Sequence, residues 1–167
     1  MKRLLMIALC VVIVFSMCSC MKRNVEIHEP VNFYYCNVDV SYNTSDGVIC
    51  PEIHDAERFS GDLFILMTEY IKGPETDLLS SPLPVGTQLV SVEKMNDIAH
   101  VTFNKSFASL SGIHLSTACS CVLMTLNDYA GITQVNIQAE NAQLDNKDVL
   151  IMTMSDLVLM DSFGEDG

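Results

Sequence analysis

Basic residues are scarce in this sequence of 167 residues. Lysine and arginine number nine against 21 aspartates and glutamates, so the formal net charge is −12 at pH 7. Two of the nine, Lys2 and Arg3, stand at the amino terminus, so the rest of the chain is more acidic still. A surface of this charge repels nucleic-acid phosphates and anionic lipid headgroups. The composition therefore excludes nucleic acid as a partner, and it excludes membrane attachment through a polybasic patch.

Motifs that carry catalysis or bind metals are also missing from the sequence. The four histidines show no His-Glu-x-x-His pattern and no paired-cysteine spacing, so no metal site is predicted. The serine-rich stretches lack a Gly-x-Ser-x-Gly elbow, and no phosphate-binding glycine loop is followed by lysine. We therefore predict no cofactor, no catalytic residue and no enzymatic activity.

The apolar stretch at the amino terminus is too short for a transmembrane helix. Residues 4–15 are uninterrupted, but a membrane span needs about 20 apolar residues. The stretch follows Met1-Lys2-Arg3, and a positive start before a short apolar core is typical of a signal peptide. The sequence therefore predicts export from the cytoplasm.

The segment Ser16-Met17-Cys18-Ser19-Cys20, at the end of this stretch, resembles a bacterial lipobox. In that pattern a diacylglycerol is attached to the cysteine and cleavage occurs directly before it. The resemblance thus implies Cys20 as the lipid-attachment site and residues 1–19 as the signal peptide. Cys18 is the alternative, although the residue before it is bulkier than Ser19, and an uncleaved anchor is a further alternative. Lipid attachment, worth about 0.8 kcal/mol per buried CH₂, would hold the protein on the extracytoplasmic side of the cell membrane.

The length leaves room for one domain with a core after the signal peptide. Residues 20–30 are predicted to be a lipid-anchored tether that ends at Pro30. Hydrophobic periodicity then predicts strands, helices and turns in a defined order. The predicted elements are strands at 31–36 and 48–53, a helix at 60–72, a hairpin of 89–92 and 98–103, a helix at 115–129 and a strand at 135–139. Ser60 or Asp62 is the expected start signal of the first helix, and Gly131 is expected to end the second.

This β-β-α-β-β-α-β order predicts an α+β domain over residues 31–140. We expect a single mixed sheet of about five strands, with both helices packed on one face. The other face and the sheet edges would stay open for assembly. Residues 141–167 are predicted to be a C-terminal extension. We expect its apolar part, 149–160, to form a final strand or docking segment, and its acidic end to be disordered after about Ser162.

Four cysteines lie beyond the lipobox. Cys36 and Cys50 flank one turn, so outside the cytoplasm a disulfide between them could close the first hairpin. Two thiols are the alternative, because sequence does not set disulfide connectivity. Cys119 and Cys121 are two residues apart on a predicted helix, about 200° around its axis, and therefore cannot chelate one metal ion. Packing in the core is the better interpretation of Cys119.

Three consecutive segments resemble the GerMN domain of sporulation and spore-germination proteins. They are Tyr70-Ile71-Lys72-Gly73-Pro74, the stretch from Leu83 to Val92, and the stretch from Ala99 to Phe107. A helix that ends in Gly-Pro, a Leu-Pro-x-Gly-Thr turn and a strand that leads to a Phe-bearing loop occur in that family in this order. The later helix and the strand from Gly131 to Ile137 also fit, so the resemblance covers residues 31–140.

The resemblance implies an exported α+β module, similar in shape to the ring-building modules of secretion machines. No catalytic residues are established for that family, so none is assigned here. We expect a membrane-anchored lipoprotein that serves as an interaction or scaffold module of the cell envelope, linked to sporulation or spore germination. An envelope protein is the expected partner, and a homo-oligomer is left open. The alternative is a lipoprotein that binds a small ligand or a cation between its sheet and its acidic loops.

Overall fold

The strands of the chain form two separate sheets. The computed structural model describes residues 28–38 and 48–161. Its strands are β1 (Pro30–Asn37), β2 (Ile49–Asp55), β3 (Leu79–Ser80), β4 (Leu89–Met95), β5 (Ile98–Phe103), β6 (Gln134–Ala139) and β7 (Leu150–Thr153). Its α-helices are α1 (Leu63–Ile71), α2 (Gly112–Ala130) and α3 (Met154–Asp161), with 3₁₀ helices at Ala56–Phe59 and Lys105–Ser109. One sheet has the strand order β2-β1-β3 and the other the order β4-β5-β6-β7.

The predicted first hairpin is confirmed in the three-stranded sheet, where β1 and β2 pair antiparallel. Val31, Phe33 and Tyr35 point to one face and are buried, as their alternation predicts. Pro51 stands opposite Tyr34 in β2. The N–H of Tyr34 points away from β2, so the missing N–H of the proline removes no hydrogen bond from the ladder.

The edge of β1 that faces away from β2 pairs with β3 only at Cys36 and Asn37. Along the rest of this edge, side chains supply the hydrogen-bond partners of the backbone. The backbone N–H of Tyr34 donates to Oγ1 of Thr125 at 3.0 Å, and the N–H of Asn32 donates to the carboxylate of Asp128. The carbonyl of Tyr34 accepts a hydrogen bond from the hydroxyl of Tyr70 at 3.0 Å. Buried backbone polar groups need such partners. Residues of α1 and α2 therefore take the place of a neighbouring strand.

The four-stranded sheet is mixed. The predicted β4-β5 hairpin is present, β5 and β6 pair parallel, and β7 pairs antiparallel with β6. Helix α2 connects β5 to β6, since a parallel pair needs a long crossover connection. Helix α2 packs against β6 and β7, and α1 packs against β4. The inner face of the sheet is buried through alternate residues of β5, β6 and β7, namely Ala99, Val101, Phe103, Val135, Ile137, Ala139 and Met152.

Helix α2 is enclosed around most of its circumference between residues 117 and 126. Its buried polar groups are satisfied locally, because Oγ1 of Thr117 donates to the carbonyl of Ile113 at 2.8 Å and Oγ of Ser120 donates to the carbonyl of Ser116 at 2.9 Å. This bonding to the preceding turn lets serine and threonine enter an apolar environment. The helix ends as predicted at Gly131, whose φ of 66° is the left-handed conformation of a helix C-cap.

The α+β class is confirmed, but the predicted single sheet of about five strands with two helices on one face is wrong. The described residues form seven strands in two sheets, and they include the third helix α3. Helix α2 lies between the edge of β1 and the inner face of the four-stranded sheet, so β1 and β2 do not join β4 to β7. The apolar stretch 149–160, predicted to be a final strand or docking segment, forms β7 and most of α3.

Candidate interaction surface

The four-stranded sheet leaves one face open, which we call the outer face. Pairing register and side-chain alternation place on it Ser91, Glu93 and Met95 of β4, Ile98, His100 and Thr102 of β5, Gln134, Asn136 and Gln138 of β6, and Ile151 and Thr153 of β7. None of these residues is buried, and Met95 and Ile151 are each 60% exposed. No described segment covers this face.

Side chains that donate and accept hydrogen bonds occupy the centre of the outer face. The amide of Gln134 donates to Oδ1 of Asn136 at 2.8 Å, and Nδ2 of Asn136 lies 3.5 Å from Nδ1 of His100. Glu93 is the cross-strand neighbour of His100 and the one carboxylate on this face. Exposed amides and hydroxyls with apolar side chains at both edges can dock on a protein surface through hydrogen bonds and small apolar anchors.

The β4-β5 turn fixes one end of the outer face. Asn96 adopts a φ of 59° in the two-residue turn, which asparagine tolerates better than most residues. The carbonyl of Asp97 accepts from the N–H of Thr133 at 2.8 Å, and its carboxylate accepts from the hydroxyl of Thr133 at 2.7 Å. This hydroxyl hydrogen bond lowers the pKa of Asp97. The turn is therefore held against the residue that leads into β6.

Lys94 connects the same hairpin to helix α2. Its ammonium group donates to the carbonyl of Ala130 at 2.7 Å, at the carboxyl end of the helix. A cation is favourable there because the last carbonyls of a helix have no partner within it and carry partial negative charge. The contact accounts for a lysine at this inner-face position of β4, opposite Ala99.

The segments that resemble a GerMN domain meet at Asn104. Its Oδ1 accepts from the N–H of Gln88 at 3.2 Å and from the N–H of Ser106 at 3.3 Å, and its Nδ2 donates to the carbonyl of Gly86 at 2.9 Å. Gly86 has a φ of 85°, which favours glycine in this turn. Asn104 thus joins the Leu-Pro-x-Gly-Thr turn to the Phe-bearing loop, so the motif has a structural role.

Replacing Asn104 with alanine is expected to lower the free energy of unfolding by about 2 kcal/mol, because three hydrogen bonds are lost at a half-buried position. Asn104→Asp is the matched variant, since a carboxylate keeps both acceptor contacts and strengthens them by its charge, while its second oxygen faces the carbonyl of Gly86 in place of the donor. It should cost less than half as much in urea denaturation followed by circular dichroism. Equal losses in the two variants would show that the acceptor contacts do not stabilise the junction.

Cys36 and Cys50 lie on opposite faces of the β1-β2 hairpin. Cys50 stands opposite Tyr35, whereas Cys36 stands opposite Ile49. Because successive side chains alternate between faces, a bridge between these cysteines would require the register to move by one residue. All four described cysteines are thiols. The Cys36–Cys50 bridge stays a prediction, and the register does not favour it.

The sequence reasoning missed another cysteine pair. The thiols of Cys36 and Cys121 form a hydrogen bond with each other, although 85 positions separate them in the sequence. No periodicity signals such a contact, which depends on how α2 lies along β1. Cys119 lies in the core as expected, and burial raises the pKa of its thiol to about 12.

Several sequence predictions concern residues that the structure does not describe. The signal peptide, both lipobox cysteines, Cys18 and Cys20, nearly all of the tether 20–30 and the acidic end after Asp161 lie outside residues 28–38 and 48–161. Within those two ranges, no helix has the length and apolar character needed to cross a membrane. The same ranges hold no group of three or more His, Cys, Asp or Glu side chains arranged to bind a metal ion.

An acidic groove lies where the start of β1 meets the end of α2. Its volume is about 540 Å³, and Glu29, Glu57 and Asp128 contribute carboxylates to its lining. Tyr129 also lines the groove. Asp128 already accepts the N–H of Asn32, so its carboxylate has a structural role at the edge of β1.

Comparison with known proteins gives a family and a fold. Residues 36–145 match the family model named Germane, which is described as "Sporulation and spore germination". No curated protein matches the chain significantly. The first GerMN domain of the sporulation protein GerM from Bacillus subtilis superposes with a TM-score of 0.52 and 13% identity, covering 74% of this chain and 94% of that one.

Two further solved structures are similar to the chain. The tandem GerMN domains of GerM from Bacillus subtilis give a TM-score of 0.51 at 17% identity, with 74% of this chain and 45% of that chain covered. A candidate lipoprotein from Clostridium perfringens gives 0.47 at 19% identity, with coverages of 77% and 90%. At such identities the GerM domains show a shared fold. Because the family model spans more than half of the sequence, the chain belongs to the Germane family of sporulation and spore-germination proteins.

Proposed function

We propose that the protein is a lipid-anchored interaction module of the cell envelope, and that it contacts its partner through the outer face during sporulation or spore germination. The observation that carries this proposal is the open outer face, a sheet surface of amides and hydroxyls with the exposed apolar side chains Met95 and Ile151 at its two edges. Hydrogen-bonding side chains together with a few exposed apolar side chains are the groups through which protein surfaces dock on one another. Family membership supports the developmental context.

The proposed anchor sets how far the domain reaches from the membrane. With lipid on Cys20, residues 20–30 would span at most about 40 Å even when fully extended. The acidic composition gives the domain no electrostatic attraction to anionic headgroups. The domain would therefore work near the membrane, held there by its lipid, and would meet a partner that is also in the envelope.

Replacing Ile151 with glutamate is the variant that tests the outer face. We expect at least a tenfold loss of the envelope partner that co-purifies with the tagged full-length chain after chemical crosslinking, because a charge replaces an apolar anchor. Val85→Glu is the matched control, since Val85 is fully exposed in the turn before β4 and lies off the outer face. Quantitative mass spectrometry of the crosslinked membranes gives the comparison.

Thermal unfolding of both variants shows whether each still folds. If Ile151→Glu keeps full partner recovery while Val85→Glu loses it, the interaction lies elsewhere and the outer face is not the contact surface. Equal recovery in both variants would also contradict the proposal.

The acidic groove favours a cationic small ligand as the second candidate function, because Glu29, Glu57 and Asp128 contribute carboxylates to its lining. A specific ligand would raise Tm with concentration, because it binds only the folded protein. A rise in Tm with the polyamine spermidine that disappears in Glu57→Gln would favour this function, whereas an unchanged Tm would count against it.

A further inference from the structure

Helix α2 runs antiparallel to β1 along its edge, and successive turns of the helix contact alternate residues of the strand. The carboxylate of Asp128 accepts a hydrogen bond from the N–H of Asn32, and Oγ1 of Thr125, one helical turn earlier, accepts one from the N–H of Tyr34. Two residues along a strand advance by about 6.6 Å, and three or four residues along a helix advance by about 4.5 to 6 Å. The two elements therefore stay side by side over successive steps, in opposite directions.

One helical turn further along α2 and two residues further along β1, two cysteines lie together. Cys36 lies two residues beyond Tyr34, and Cys121 lies one helical turn before Thr125. Their thiols form a hydrogen bond with each other. Cys50 projects from the other face of the hairpin, as the register requires. Cys121 is thus the cysteine that the fold brings next to Cys36.

The two thiols differ in exposure and in pKa, which favours one order of attack. The hydrogen bond from Cys121 lowers the pKa of Cys36, which also remains partly exposed. The same hydrogen bond, together with burial, raises the pKa of Cys121, which is fully buried. The thiolate is the reactive form, so Cys36 is suited to attack first and Cys121 to react second.

We propose that Cys36 and Cys121 form a disulfide in the exported protein, which joins the edge of β1 covalently to α2. This inference rests on the proposed function in one respect, the extracytoplasmic location in which disulfides persist. The electron acceptor is the disulfide of an extracytoplasmic thiol–disulfide oxidoreductase. The Cys36 thiolate attacks one of its sulfurs, forms a mixed disulfide and releases the other sulfur as a thiolate.

The second step completes the bridge. Cys121 loses its proton and attacks the sulfur of Cys36, which releases the second thiolate of the oxidant. Two protons and two electrons have then left the cysteine pair, and the oxidant has become a dithiol. The bridge closes a loop from residue 36 to residue 121, which contains β2 to β5 and α1. Such a long loop restricts the unfolded chain strongly, so reduction should lower Tm by roughly 10 °C.

Differential thiol labelling of the full-length chain in cells tests the bridge. Cells are quenched in acid, thiols are blocked with N-ethylmaleimide, and bridged cysteines are then reduced, labelled with a maleimide polymer and mapped by peptide mass spectrometry. We expect label on Cys36 and Cys121, and its loss from both when either is replaced by serine. Cys50→Ser and Cys119→Ser are the matched controls and should keep the label.

Label on Cys36 and Cys50 in the wild type, or label that persists on Cys36 in Cys121→Ser, would overturn the inference. Oxidation of the purified full-length chain with glutathione disulfide tests whether the two cysteines can form the bridge, independently of where the protein is located in the cell. If the Cys36–Cys121 bridge forms in vitro but the cysteines stay reduced in cells, the result contradicts the extracytoplasmic location, and with it the bridge in vivo. If the folded chain forms no such bridge in vitro, the result contradicts the pairing of Cys36 with Cys121 and leaves the proposed function unaffected.

Discussion

Replacing Tyr70 with alanine should lower the free energy of unfolding by about 4 kcal/mol, a large part of the roughly 5 to 15 kcal/mol that stabilises a domain. Tyr70 is fully buried, and its ring stacks on that of Tyr35 with centroids 5.1 Å apart and planes 7° apart. Its hydroxyl also donates to the carbonyl of Tyr34 at the edge of β1. Urea denaturation of the full-length chain measures the loss.

Two conservative variants separate the hydroxyl of Tyr70 from its ring. Tyr70→Phe keeps the ring but leaves the carbonyl of Tyr34 without its donor, so we expect a loss of about 1 to 2 kcal/mol. Tyr129→Phe is the matched control, because the buried hydroxyl of Tyr129 has no hydrogen-bond partner in the described part of the chain. Its stability should stay within about 0.5 kcal/mol of the wild type. Equal effects in the two Phe variants would show that the edge of β1 does not need this donor.

Replacing Cys20 with alanine is expected to release the protein from membranes. The acyl chains supply the proposed anchor, at about 0.8 kcal/mol for each buried CH₂, so their loss should reduce the membrane-bound fraction by more than about 100-fold. Sedimentation and incorporation of an alkyne-tagged fatty acid measure the effect.

Cys18→Ala is the matched control for the anchor and should keep both the label and the membrane association. A Cys20→Ala protein that still takes up the fatty acid and still sediments would contradict lipid attachment at this residue. Loss of the label in Cys18→Ala alone would assign the lipid to the alternative cysteine.

Local patterns in the sequence predicted the strands and helices that depend on neighbouring residues. The alternation of Val31, Phe33 and Tyr35 predicted β1, and Gly131 predicted the end of α2. Asp62, one of two expected start signals, caps α1 by accepting from the N–H of Phe64 at 2.7 Å. These features were predictable because each results from side-chain periodicity or from a hydrogen bond within one turn.

The arrangement of the sheets could not be predicted in this way. It depends on Thr125 and Asp128, two polar positions of a largely apolar helix, whose partners in β1 are 91 and 96 positions away. Periodicity marks such residues as exceptions in an apolar helix and does not indicate what they bind. The contact between Cys36 and Cys121 escaped prediction for the same reason.

The outer face was partly predictable. The alternation in β6 indicated a polar side, with Gln134, Asn136 and Gln138 opposite Val135 and Ile137. The register with β4 and β7, which adds Met95 and Ile151 at the edges, required the structure. A parallel pairing such as β5 with β6 is fixed by the path of α2 and not by the strands alone.

Photo-crosslinking from the outer face tests the central claim most directly. A photoreactive phenylalanine analogue is placed at Met95 in the full-length chain, with the same analogue at Val85 as the control. Irradiation of intact membranes should give one dominant adduct from Met95, with an envelope protein or a second copy of the chain, and no such adduct from Val85. Membranes in which the folded, anchored protein yields no adduct from Met95, or the same adduct from both positions, would contradict a specific contact through the outer face.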